Sequence, residues 1–188
     1  MAAAGATAIP PKTSERYAYS TFREQGARVN VFVDGYPASQ RTADAFVPIP
    51  VAIAVMKYGE AIRFVPESFT LVDAGGNEVP AAGYQELTRG YDKIGFDRSL
   101  VRMRPIVVGS YVAGLLPIGA SFYPPPESGA RTQRVELASF TWFNDTLYFP
   151  RPPAGLSGVL TLKVAIPGAD PIEVRFVASS DELARSIE

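Results

Sequence analysis

Glu86, Asp92 and Asp97 are the acids whose types and spacing could do chemistry, because glycoside hydrolysis needs two carboxyl groups facing one cleft. They alternate with Arg89, Lys93 and Arg98, which is also the pattern of a solvated, ion-paired face. The 188-residue chain has no cysteine and no histidine. Thiol nucleophiles, imidazole bases, iron–sulfur clusters and nearly every zinc or copper site are thereby removed. A carboxylate pair, a Ser–Lys pair or an oxygen-ligated metal is what remains for catalysis. The run Asp73-Ala74-Gly75-Gly76-Asn77-Glu78 has too few ligands in step for a calcium loop and reads as a plain turn. These residues point away from an enzyme, and toward no cofactor and no metal.

The aromatic residues of the second half offer a different chemistry. Tyr111, Phe122, Tyr123, Trp142, Phe143 and Tyr148 lie near glycine- and proline-rich stretches. Exposed rings could stack on a glycan or anchor a protein partner, whereas buried ones would fill a core. Trp142 reads first as core; Tyr111, Phe122 and Tyr123 are open to either role. The apolar run 106–123 would be an aggregation hazard unless it folds back or meets a partner. Arg102 and Arg104 flank it on one side and Arg131 on the other, placed to meet an acidic partner or a lipid head group, or only to keep the run soluble. The binding candidates are therefore Tyr111, Phe122, Tyr123, Trp142, Arg102 and Arg104. Asn144-Asp145-Thr146 fits a glycosylation acceptor pattern but reads as a turn, with Asn144 in a left-handed conformation.

Charge narrows the partner. With 18 basic and 19 acidic side chains, the net charge of −1 offers no general basic face for nucleic acid. The most apolar stretch is broken by Gly109, Gly114, Pro117 and Gly119, so the sequence predicts no transmembrane segment. Residues 1–8 are alanine-rich without the basic flank or long apolar core of a signal peptide.

The elements that must position these residues are mostly strands. Val29, Val31 and Val33 alternate within 28–34, and Val47, Ile49, Val51, Ile53 and Val55 alternate within 46–57. Pro48 and Pro50 cannot donate to a ladder, which puts the first half of the latter strand at an edge or bulge. Further strands are predicted over 61–65 and 69–73. Tyr84, Leu87, Tyr91 and Ile94 recur at helical spacing, predicting one or two short helices, with Gly95 as the stop. Val101 and Met103 suggest that a strand follows. Later strands are predicted at 132–138, at 140–143 and 147–149 around a turn at Asn144-Asp145, and in a closing hairpin of Leu160–Ile166 with Ile172–Phe176. About eight or nine strands without a βαβ rhythm select an all-β sandwich, with a closed barrel as the alternative. One domain spans 17–180, with a partly helical, partly apolar excursion at 82–130, a tail at 1–16 and another at 181–188.

The order of these motifs carries a resemblance. Phe69-Thr70-Leu71-Val72-Asp73 precedes a Gly-Gly turn, and Leu147-Tyr148-Phe149-Pro150 precedes the Leu160/Leu162 hairpin. This resembles the telokin-like, immunoglobulin-type domains of bacterial extracytoplasmic lipoproteins and secreted proteins, over roughly 47–79 and 135–177. Residues 82–130 depart from the family pattern, and the family has no catalytic residues to carry over. The resemblance implies an immunoglobulin-like fold and an extracytoplasmic place, in the periplasm or at the cell surface, with a lipid anchor on a longer precursor as one form. The function expected is non-enzymatic contact with a protein partner, with carbohydrate binding through the second-half aromatics as the alternative.

Overall fold

The computed structural model describes residues 20–25, 28–103, 112–128 and 130–178. In chain order these form β1 (Ser20–Gln25), β2 (Val29–Asp34), α1 (Tyr36–Ser39), β3 (Phe46–Val55), β4 (Ile62–Phe64), β5 (Phe69–Val72), β6 (Glu78–Pro80), α2 (Tyr84–Gly90), α3 (Ile94–Met103), β7 (Leu116–Pro117), β8 (Val135–Leu137), β9 (Thr141–Pro150), β10 (Val159–Val164) and β11 (Ile172–Val177). The tails at 1–16 and 181–188, and the segment 104–111, lie outside the described residues.

The fold is predominantly β, with two larger sheets of order β1-β2-β3-β9-β7 and β11-β10-β5-β6, and a small β4-β8 pair. Every pairing is antiparallel except β7 with β9. The valines and isoleucines predicted for one face of β3 are fully buried and share one core with Leu71, Leu160, Leu162 and Val164 of the second sheet. Two sheets enclosing a common apolar core is the layering of a β-sandwich.

β3 shows how sequence chemistry selects its neighbours. β2 accompanies it only from Val51 to Val55, whereas β9 runs beside it from Phe46 to Ala54. Among the described residues, Pro48 and Pro50 thus occupy a stretch with a strand on one side alone, where a missing N–H costs no ladder bond. The one-turn helix α1 packs against β3 there. On the opposite face of the same sheet, Ala52 and Ala54 are small enough to admit close cover. Val112 and Leu115 supply it, packing with Phe32, Met56 and Trp142.

The two sheets meet closely at Gly35, which follows β2. A Cβ there would lie 2.2 Å from the carbonyl oxygen of Val177, so only glycine fits beside the end of β11.

Four local expectations are corrected. Gly95 does not end a helix; it sits in the first turn of α3, which runs on to Met103, so Val101 and Met103 belong to a helix and not to a strand. Asn144-Asp145 is not a turn: β9 is continuous through it, with Asn144 opposite Ala52 and Asp145 opposite Val51. Asn144 is not left-handed either, since Phe140 is the one non-glycine residue with positive φ among the described residues. The polar pair is tolerated in mid-strand because Asn144 is exposed and the Asp145 carboxylate collects three donors. Finally, the predicted strand 132–138 shortens to β8, and β1 precedes the first strand that alternation reveals.

Candidate functional site

The sequence candidates separate sharply. Phe122 and Tyr123 are interior, at 0% and 1% exposure. Phe122 packs against Phe69 and Phe143, and Tyr123 packs edge-on to Tyr148 while its hydroxyl donates to the Ala82 carbonyl at 2.8 Å. Neither ring can stack on a ligand from solvent, so their place as binding residues is corrected to core. The reason lies in Asp145: its carboxylate accepts from the Phe122 backbone N–H at 2.6 Å and from the Ser121 hydroxyl at 2.9 Å, drawing this segment down onto β9. Trp142 is half-buried under Val112 and Leu115. Arg102 is exposed, and Tyr111 and Arg104 lie outside the described residues.

The three acids do not converge. Glu86 and Asp92 are exposed, whereas Asp97 is fully buried. Arg41 grips it: Nε donates to Oδ1 at 2.9 Å and Nη2 to the same oxygen at 2.6 Å. The Tyr91 hydroxyl donates to Oδ2 at 2.6 Å and accepts from Arg41 Nε at 3.0 Å. Burial disfavours the charge on Arg41, but Asp97 and Tyr91 outweigh it and leave the guanidinium's pKa raised. Burial also pushes up the Tyr91 and Tyr148 hydroxyls, and the nearby Asp97 carboxylate adds to that, so both stay neutral. With both of its oxygens held in this network, Asp97 is placed as an anchor for α3 and has no open side from which to attack a substrate. Asp73 is likewise saturated. Its Oδ1 accepts from the N–H groups of Gly75 and Asn77, and its Oδ2 from the N–H of Ala154. Burial opposes its charge, but those bonds outweigh it and lower its pKa, as a structural turn requires.

Two surface features remain after these assignments. The first is a cavity of about 500 Å³ between α3, β9 and the segment around 118–132. Arg98, Arg102, Ser121, Thr132, Asn144 and Thr146 line it, together with Asp145. Burial pushes the Asp145 carboxyl up to about 6, against the pull of its Phe122, Ser121 and Thr146 donors.

The second is an apolar corner at the far end of β9. Tyr58 is 85% exposed and Leu116 68% exposed, and Phe140 between them is 37% exposed. The Tyr58 and Phe140 rings meet edge to face at 4.8 Å. Phe140 has φ of 61°, a left-handed conformation unfavourable for a bulky residue. Its backbone is fixed on both sides: its N–H donates to Val55 and its carbonyl accepts from Leu116, each at 2.9 Å. The Tyr58 turn is tied to the same corner, because the Gly59 N–H donates to the Ser139 hydroxyl at 3.2 Å. β7, which carries Leu116, is the outer strand of its sheet and pairs on one side only among the described residues.

Sequence reasoning missed both features for a common reason. Arg98 and Arg102 share a face only if 94–103 is helical, and Asp145 points at a cavity only if 141–150 is one strand. Tyr58 and Phe140 are 82 positions apart in sequence, and no local periodicity joins them. Among the described residues no helix is long and apolar enough to cross a membrane. Comparison with protein-family models, with curated proteins and with solved structures finds no match to this chain.

Proposed function

We propose that this chain is a non-enzymatic β-sandwich of immunoglobulin type that works outside the cytoplasm by contact with a protein partner. The partner docks on the corner formed by Tyr58, Leu116 and Phe140. The observation that carries this reading is Phe140, an aromatic residue held in a left-handed conformation with its ring outward. Such strain persists only where the surrounding structure enforces it, and strained residues cluster at functional contacts. Aromatic anchors on a rigid scaffold give a partner large contact area at small entropic cost. The non-enzymatic part is supported by the acids: Glu86 and Asp92 face solvent, and both Asp97 oxygens are held by Arg41 and Tyr91. The placement outside the cytoplasm is supported by the resemblance of 47–79 and 135–177 to extracytoplasmic domains.

Site-specific photo-crosslinking tests the contact. A crosslinker in place of Leu116 or Tyr58, in cells that make the protein, gives a discrete adduct, and one in place of Lys163 on the second sheet gives none. No adduct from the corner, or the same adducts from all three positions, contradicts the proposal.

A further inference from the structure

Arg98 and Arg102 are four residues apart in α3 and therefore extend from one face of it. That face walls the cavity of about 500 Å³ over β9, a size typical of small-molecule sites. Among the described residues neither guanidinium closes an ion pair. The neighbouring acids are already engaged, Asp97 with Arg41 and Asp44 with Lys93 at 2.7 Å. Asp145 lines the cavity too and its charge acts on Arg98, but it makes no contact ion pair there, and its oxygens accept bonds from Ser121, Phe122 and Thr146.

The remaining lining is uncharged and mixed: the hydroxyls of Ser121, Thr132 and Thr146 and the amide of Asn144 lie among apolar residues such as Val51, Val101 and Ile118. No aromatic ring lines it, so the face of a sugar or of an aromatic acid finds nothing to stack on. A pair of guanidiniums that close no ion pair among the described residues is suited to a planar or tetrahedral oxyanion, which each can hold through two N–H groups. The hydroxyl and amide groups suit a body that carries hydroxyls of its own. The geometry points to a binding site for a small hydroxylated organic anion, a carboxylate or a phosphate ester, with its acid group on Arg98 and Arg102 and its hydroxyls toward Ser121, Thr132 and Asn144. This site is separate from the contact corner, and either can fail without the other.

Isothermal titration of the whole chain tests it, with glucuronate and glucose 6-phosphate as probes and glucose as the neutral control. At least one acid binds saturably, glucose does not, and the stronger of the two acids tells carboxylate from phosphate ester. Arg98→Gln and Arg102→Gln each weaken binding about tenfold or more, the loss expected for a charge-assisted bond. Asn144→Ala weakens it less, and Arg175→Gln on β11 leaves it unchanged. Arg98 and Arg102 reach solvent and support no described ion pair, so these variants keep the native melting temperature. The inference is overturned if neither acid saturates, if glucose binds as well as the acids, if the arginine variants bind undiminished, or if Arg175→Gln weakens binding as much as they do.

Discussion

Arg41 and Asp97 lie 56 positions apart in sequence and meet in an ion pair of 2.6 Å, with the carboxylate wholly removed from solvent. This pair fastens α3 to the loop that follows α1, and α3 in turn walls the cavity. The Phe96 ring lies over the Arg41 guanidinium at 4.9 Å, and the Arg151 guanidinium binds the carbonyls of Arg41 and Asp44. A buried pair of this kind contributes little net stability over an apolar pair, but removing Asp97 leaves the Arg41 guanidinium with only its longer ion-pair contact to Asp44, at 3.5 Å.

Asp97→Ala therefore destabilises the chain by about 3–5 kcal/mol in urea denaturation. Replacing both partners by apolar residues, Arg41→Met with Asp97→Leu, recovers most of the loss. A cost under about 1 kcal/mol for the single variant would show that the carboxylate is not desolvated in solution.

Phe140 gives a test of backbone strain. A left-handed conformation costs a non-glycine residue about 1–2 kcal/mol. Phe140→Gly relieves that cost and Phe140→Ala keeps it, although both remove the ring. The glycine variant should be the more stable by about 1 kcal/mol, the reverse of their order in ordinary strand positions. Thermal denaturation of the two decides it, and an alanine variant as stable as the glycine one removes the strain.

Asp145 gives a test by pH. Its folded pKa, near 6, is above the ordinary value of 3.8, so the folded chain binds this proton more readily than the unfolded one. Protonation thus favours the fold. The contribution is fully present below about 4 and is lost as pH rises through about 6. Against an Asp145→Asn variant, the native chain loses melting temperature between pH 4 and 6, and parallel curves would contradict the burial assigned to this carboxyl.

Gly35 tests the contact between the sheets. Gly35→Ala places a methyl against the Val177 carbonyl, forcing a backbone shift at a cost of about 1–3 kcal/mol. Gly119→Ala, where an added Cβ meets nothing within 4 Å, serves as the neutral comparison. Equal melting temperatures for the two would mean that the sheets part easily at this end.

Much of the β framework is legible from alternation, because a strand with one face on a core must repeat with period two. Val47 to Val55 and the β10–β11 hairpin show this without help from the rest of the chain. The prolines of β3 were informative for the same local reason. What alternation cannot show is a residue whose role is set by a distant partner. Asp145 interrupts the apolar pattern of β9 and so resembles a turn, yet it stays in the strand because Ser121 and Phe122 come down to meet it. Those two bonds also bury Phe122 and Tyr123, which composition alone leaves free to face either way. In α3 the apolar residues Val101 and Met103 alternate like a strand, while the helix is held by Asp97 reaching back to Arg41.

The contact corner is tested most directly by combining the two variables that Phe140 joins. Crosslinking from position 116 in the Phe140→Gly background separates the ring from the fold, because that variant keeps the structure while losing the aromatic anchor. The discrete adduct expected with the native chain should fall to background in this variant while the melting temperature holds. An adduct of undiminished yield, at an unchanged melting temperature, would contradict it.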